Sequence, residues 1–303
     1  MLKGADSRQG SGCGSGPASA DGSDLKLGLI GDNIAHSRAP LLHRLAGNLA
    51  GLAVSYERLV PRDRGAGFEQ VFFDCASSGY RGVNVTYPYK EEAARRVRID
   101  DPLVRAMGAV NTVVFGPEGP AGFNTDYSGF LSAYRQVRGA SRAGAIWMIG
   151  AGGVGKAVAF ALLKLGLDAL SIVDLDRSKA ADLASRLRAA DPRLSVTLAE
   201  ATEALAGPID GVINCTPVGM VGYEGTPLPR ARMRDAGWAF DAIYTPLETQ
   251  FLKDAAAEGL TVISGYELFF HQGVDAWQIF SGRPVEAAQL RRLLSEAGAG
   301  PEG

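Results

Sequence analysis

The chain has 303 residues, of which 46% are apolar and 21% charged, a balance that suits a folded globular protein and excludes a wholly disordered one. That length predicts about two domains. Lys plus Arg number 31 against 33 Asp plus Glu, a net charge of -2 that gives no electrostatic footprint for nucleic acid or an anionic membrane.

Residues 1–24, rich in Gly, Ser and Ala and without an apolar signal core, read as a flexible leader or expression remnant. From there strand-like and helix-like patterns alternate. Strands are predicted at Leu27–Gly31, Val54–Val60, Gly82–Val85 and Val110–Phe115, and helices at Pro40–Gly51, Phe68–Ala76 and Pro88–Val97, with a Gly/Pro turn over Gly116–Gly122. A helix at Asp126–Val137 opens a second unit. Strands follow at Ala145–Gly150, Ala169–Asp174, Leu194–Thr197, Gly211–Cys215, Ala239–Ile243 and Thr261–Ile263, with helices at Val154–Gly166 and Ser178–Ala190. This alternation predicts an α/β fold with right-handed crossovers and a largely parallel sheet, and residues 265–303 read as helices alone. The most apolar stretch, Ala157–Val173, is broken by Lys164 and Asp168, so no membrane span is expected. Cys13, Cys75 and Cys215 are isolated and His36, His43 and His271 scattered; this predicts a reducing, cytoplasmic setting and no bound metal.

Gly150-Ala151-Gly152-Gly153-Val154-Gly155 follows a predicted strand and opens a predicted helix. That context turns a common Gly-rich turn into a dinucleotide-binding signature. Gly150 and Gly152 allow a tight turn and close approach to a pyrophosphate, Gly155 lets helix and strand pack, and the helix N-terminus faces the anion. The next strand ends at Asp174, 19 residues after Gly155, where a carboxylate can accept both ribose hydroxyls and repels a 2′-phosphate. NAD is therefore expected over NADP. Asp176 adds to the repulsion, while Arg177 and Lys179 read as a solvated first helical turn.

Three further stretches crowd Asn and Thr at strand ends, where buried amides and hydroxyls need partners: Gly82-Val83-Asn84-Val85-Thr86-Tyr87-Pro88-Tyr89-Lys90, Gly108-Ala109-Val110-Asn111-Thr112, and Gly122-Phe123-Asn124-Thr125-Asp126. Singly, each is ordinary turn chemistry. In order and wording they resemble the shikimate/quinate dehydrogenase family. His36–His43, Asn214–Met220 and Gly265–Gly273 extend the resemblance over about residues 25–285.

The resemblance implies a substrate-binding domain (residues 25–126 and 265–303), a Rossmann-type NAD(P)-binding domain (127–264), and C-terminal helices that return to the first domain. It implies reversible oxidation of a ring hydroxyl on a cyclic polyhydroxy carboxylate, with no nucleic-acid or membrane partner and a monomer or homodimer. Lys90 and Asp126 match the family's catalytic pair. An amine can take the hydroxyl proton as hydride leaves, and an acid can orient it. Whether Lys90 accepts the proton, or polarises the oxygen while Asp126 accepts it, stays open at this point. Ser37, Asn84, Thr86, Asn111, Tyr244 and Gln272 are the implied substrate contacts. Cys215, Thr216, Met220 and Gly265 join the glycine loop, Asp174, Leu175 and Arg177 on the cofactor side.

Two positions depart from the family pattern. The second hydroxyl of its carboxylate-binding pair is Ala39, with Arg38 between Ser37 and Ala39. Asp174-Leu175-Asp176 replaces the Asn-Arg-Thr/Ser of NADP-using members, so Leu175 stands where they carry the phosphate-binding arginine. That pattern resembles the NAD-preferring branch. The alternatives are an NADP-dependent biosynthetic shikimate dehydrogenase, a dehydrogenase for a related cyclic acid, and, in another class, a dinucleotide-binding regulator without turnover.

Overall fold

The computed structural model describes residues 24–298; all of the predicted leader except Asp24 lies outside them. The order of elements is β1 (Leu25–Ile30), α1 (Ala39–Ala50), β2 (Val54–Leu59), α2 (Phe68–Ser77), β3 (Gly82–Val85), α3 (Lys90–Ala94), α4 (Pro102–Met107), β4 (Thr112–Gly116), β5 (Gly119–Phe123) and α5 (Thr125–Arg138). There follow β6 (Gly144–Ile149), α6 (Gly153–Lys164), β7 (Leu167–Val173), α7 (Arg177–Ala190), β8 (Ser195–Leu198), β9 (Gly211–Asn214), β10 (Trp238–Asp241), α8 (Gln250–Ala257), β11 (Thr261–Ile263), α9 (Gly265–Ser281) and α10 (Ala287–Glu296).

The chain builds two sheets, one in each of the two predicted units. The first has strand order β2-β1-β3-β4-β5 and is mixed, because β4 runs antiparallel to both β3 and β5. The second, β11-β10-β9-β6-β7-β8, is parallel throughout. Its order reverses between β6 and β9, the switch point at which doubly wound sheets bind ligands. Every residue of β6 is buried, as expected for a central strand covered on both faces.

The predicted turn over Gly116–Gly122 is a correction: most of it is β5, hairpinned to β4 through Gly119 at φ +91°. Pro120, which has no N–H, is tolerated because β5 is an edge strand. The helix predicted at Pro88–Val97 is shorter, Lys90–Ala94, because the chain turns away to pair Arg98 with the edge strand; Arg98 N donates to Pro120 O at 2.9 Å and Arg98 O accepts from Gly122 N at 2.8 Å. The short helices α4 and α8 carry caps that were there to be read. Asp101 accepts from Leu103 N just before Pro102, and Thr249 accepts from Leu252 N.

Helix α9 lies against α5 so closely that a Cβ on Gly129 would stand 2.7 Å from Gln272 N. One residue on, Gly273 admits Leu42 of α1, whose Cδ1 would be 2.6 Å from an added Cβ. The apolar face of α1 (Leu42, Ala46) joins Tyr266, Phe270, Trp277, Leu290 and Leu294 in one core cluster, so the C-terminal helices pack back on the first unit. Among the described residues no helix is long and apolar enough to cross a membrane.

Candidate active site

Lys90 opens α3 and Asp126 lies in the first turn of α5, 36 residues later in the chain. The fold brings them into contact: Lys90 Nζ donates to Asp126 Oδ2 at 2.6 Å, with side chains only 13% and 8% exposed. Asn124 sets the start of α5. Its Oδ1 accepts from Tyr127 N at 3.2 Å while its Nδ2 donates to Ala109 O at 2.9 Å, tying the helix to the segment that carries Asn111.

A buried polar network extends from this pair. Asn111 Oδ1 accepts from Thr125 N at 2.7 Å, and its Nδ2 donates to Thr125 Oγ1 at 2.9 Å. Asn84 Nδ2 donates to Thr112 Oγ1 at 3.1 Å, and Asn84 Oδ1 accepts from Tyr56 OH at 2.9 Å. Gln272 reaches the same cluster from α9, its Oε1 3.4 Å from Thr125 Oγ1, while its Nε2 donates to Phe269 O. Thr86 follows β3, its N donating to Ile30 O. Side chains fixed this way keep their rotamers when a ligand arrives, which is what a site for a polyhydroxy compound requires.

Ser37 and Tyr244 meet across more than 200 residues of chain, the tyrosine OH 3.5 Å from Ser37 Oγ. Burial pushes the ionisation of the Tyr244 and Tyr56 phenols to higher pH, so each remains a neutral hydrogen-bonding group. Arg38 is half-buried, with Nη1 shielded from solvent and unpartnered.

On the second sheet, Gly150 adopts φ +98°, and an added Cβ there would lie 2.7 Å from the Cys215 carbonyl. A Cβ on Gly155 would stand 2.3 Å from Gly150 O. Gly152, the residue before α6, has open space where a Cβ would be. Two glycines fix the turn, and the third leaves the helix N-terminus uncovered, so the loop suits a pyrophosphate. Val154 continues the first turn of α6. Asp174 closes the loop from β7: its Oδ2 accepts from Ala151 N at 2.7 Å and its Oδ1 from Asp176 N at 2.8 Å. Each oxygen keeps acceptor capacity for a ribose hydroxyl. Leu175 is fully exposed, and Arg177 pairs with Glu200 at 2.8 Å on the surface. A cavity of about 260 Å³ adjoins Asp174, lined also by Arg177, Ala180, Ala181, Leu198 and Ala199.

The two halves meet at Gly153. A Cβ there would lie 2.8 Å from Lys90 Cβ and 3.0 Å from its Cδ, so the lysine stem rests on the glycine loop. Cys215, at the end of β9, feels the charges of both Lys90 and Asp126; burial, then the Asp241 carboxylate, pushes its thiol up. Thr216 Oγ1 donates to Asn214 Oδ1 at 2.7 Å, and Gly265 packs on the Ile243 carbonyl. Met220 sits in the turn from Pro217, its N donating to Pro217 O at 3.0 Å.

Residues that sequence reasoning missed are Tyr56, Thr112 and Thr125, which hold Asn84 and Asn111. Thr112 and Thr125 stood in the quoted Asn-Thr stretches, whereas nothing in Val54–Val60 marked Tyr56 as part of a site.

A mixed five-stranded sheet and a doubly wound parallel sheet, with a lysine–carboxylate pair bearing on a glycine loop between them, define a two-domain dinucleotide-linked oxidoreductase fold. Residues 29–113 match the family described as the shikimate dehydrogenase substrate binding domain. The chain is 36% identical over 274 residues to a quinate/shikimate dehydrogenase (NAD(+)) of Corynebacterium efficiens, covering 88% of this chain and 96% of that one. It is 33% identical over 281 residues to a shikimate dehydrogenase (NADP(+)) of Pseudarthrobacter chlorophenolicus, covering 91% and 96%. The structure of quinate dehydrogenase from Corynebacterium glutamicum in complex with NAD superposes with a TM-score of 0.80 at 34% identity, over 90% of this chain and 99% of that one. The chain belongs to the shikimate/quinate dehydrogenase family.

Proposed function

We propose that this protein is an NAD-dependent dehydrogenase that interconverts shikimate or quinate and the corresponding 3-dehydro ketone. The observation that carries the reading is the Lys90–Asp126 pair, 2.6 Å apart and resting on Gly153 of the loop that fits a dinucleotide.

In this reading residues 25–126 and 265–303 hold the substrate and residues 127–264 the cofactor. Gly150 to Gly155 receive the pyrophosphate, Asp174 the adenosine ribose, and Cys215, Thr216, Met220 and Gly265 flank the nicotinamide. When bound, the nicotinamide supplies the hydride acceptor. Asn84, Thr86, Asn111 and Gln272 orient the ring hydroxyls, and Ser37 with Tyr244 faces the substrate carboxylate. Lys90 Nζ lies at the carbinol oxygen and takes up its proton in oxidation, returning it in reduction; Asp126 holds the amine in line.

The NAD preference rests on Asp174, whose oxygens already accept two backbone N–H groups and whose charge opposes a 2′-phosphate. Leu175 offers no cation to bind one. The relatives that use NADP make the phosphorylated cofactor the second reading. Initial rates with shikimate and quinate, each with NAD and NADP at equal concentration, test both. Faster turnover with NAD is expected; a strong preference for NADP overturns the role given to Asp174, and no turnover of either acid overturns the substrate class. We further propose a cytoplasmic enzyme, monomeric or homodimeric.

A further inference from the structure

Lys156 is a lysine in the interior, its side chain only 2% exposed, on the first turn of α6. Burying an ammonium is costly unless its charge is met. Here two carboxylates meet it, one from each sheet's unit: Nζ donates to Glu91 Oε2 at 2.9 Å and to Asp182 Oδ2 at 2.7 Å. Asp182 is shared with Arg186, whose Nε donates to it at 2.8 Å and whose Nη1 reaches across to Ala106 O at 2.9 Å. The cluster therefore grips the first unit at two points, α3 and the end of α4. One carries Lys90; the other leads directly into Gly108 and Asn111.

Glu91 directly follows Lys90, and Lys156 lies three residues beyond Gly153 on the same side of α6. The first turns of α3 and α6 thus touch twice, Lys90 on Gly153 and Glu91 on Lys156. Two adjacent contacts fix both the distance and the rotation of α3 against α6. Among the described residues Glu91 has no other ion-pair partner, whereas Asp182 keeps Arg186 if Lys156 is removed.

We propose that Lys156 is a positioning residue, holding Glu91 so that the Lys90 amine keeps a fixed place against the glycine loop. The role rests on the reading of Lys90 as the proton-transfer group. Because the contact is polar and spans the two units, its loss loosens α3 without opening an apolar core. A displacement of about 1 Å at the reacting amine costs up to about 100-fold in rate while ground-state contacts elsewhere survive.

The test is steady-state kinetics of Lys156→Met, Lys156→Arg, Glu91→Gln and the double variant Lys156→Met/Glu91→Gln, with wild type alongside. Lys156→Met and Glu91→Gln should each lower kcat by about 10- to 100-fold, with KM for acid and cofactor changed less than about threefold. Lys156→Arg, which keeps the cation, should retain most of kcat, and the double variant should be no worse than the poorer single, as for two ends of one contact. A lowered Tm with unchanged kcat, or fully additive losses, overturns the proposal. Should Lys156→Met fail to fold, Glu91→Gln decides, since Glu91 sits at the rim with 31% of its side chain exposed. Competitive acylation of the lysines, read by mass spectrometry, needs no turnover: Lys90 should label severalfold faster in Glu91→Gln than in wild type. Equal labelling refutes the positioning role even if wild type oxidises neither acid, an outcome that separately refutes the proposed function.

Discussion

In the proposed reading Lys90 and Asp126 bear the chemistry, and methionine keeps most of the lysine's length while removing its amine. Lys90→Met should lower kcat by about 10²- to 10⁴-fold with little change in KM, measured as cofactor reduction at saturating acid. Retention of most turnover would remove Lys90 from the mechanism. Gly153 is the less obvious residue. Its alanine variant must displace the Lys90 stem, because the added methyl would lie 2.8 Å from Lys90 Cβ; a fall in kcat is expected, measured at saturating acid and cofactor. Ala39 makes a third case. Ala39→Ser restores a hydroxyl beside Ser37, and a hydrogen bond to a charged group contributes about 1.5–3 kcal/mol, so kcat/KM for the carboxylate substrate should rise by about tenfold or more. An unchanged kcat/KM would mean that the carboxylate does not sit there.

At the scale of elements, the site depends on where helices begin. Asn124 caps α5 and at the same time ties it to Ala109, two residues before Asn111. Asn124→Ala removes the cap and strands a buried carbonyl, a loss of about 1–2 kcal/mol that should lower Tm by several degrees. The same change frees Asp126, so activity should fall at temperatures where the variant is still fully folded; calorimetry and kinetics on one preparation separate the two effects. The glycine loop was legible because each of its elements is local: a strand, a turn that only glycine permits, and a helix that follows. The β5 edge strand was not. Its residues, Gly119-Pro120-Ala121-Gly122-Phe123, carry turn chemistry, and their pairing to β4 and Arg98 is supplied by partners distant in the chain.

For the whole molecule, stability against pH is set by buried ionisable groups far from solvent. His43 is fully enclosed, stacked 5.0 Å from the Tyr56 ring that holds Asn84, and burial lowers its ionisation to about 3 from 6.5. The native state binds its proton less readily than the unfolded chain does. Its contribution is therefore complete above pH 6.5 and lost as pH falls towards 3, on the order of 5 kcal/mol at most. Asp241 acts in the opposite sense. Burial raises its carboxyl to about 7 from 3.8, despite hydrogen bonds from Thr249, Ile243 N and Asn214, so stability from this group declines as pH rises from about 4 to about 7. His43→Phe, which keeps an aromatic ring on Tyr56, should flatten the loss of unfolding free energy between pH 6.5 and 4, measured by urea denaturation at a series of pH values. An unchanged slope would mean that His43 is protonated in the native state.

The chain's own residues determined the alternation of strands and helices and the pyrophosphate loop with its acidic strand end, because propensity, turn stereochemistry and helix caps act within a few residues; the candidate lysine and aspartate came from the resemblance to the family. Tertiary structure alone decided that the first sheet is mixed rather than parallel and that Lys90 touches Asp126 and Gly153. It also decided that Tyr56 stands behind Asn84 and that the interior lysine at 156 is neutralised from both sides. Those contacts join segments dozens of residues apart, and their geometry exists only once the packing of α3, α5, α6 and α9 has fixed the distances between them.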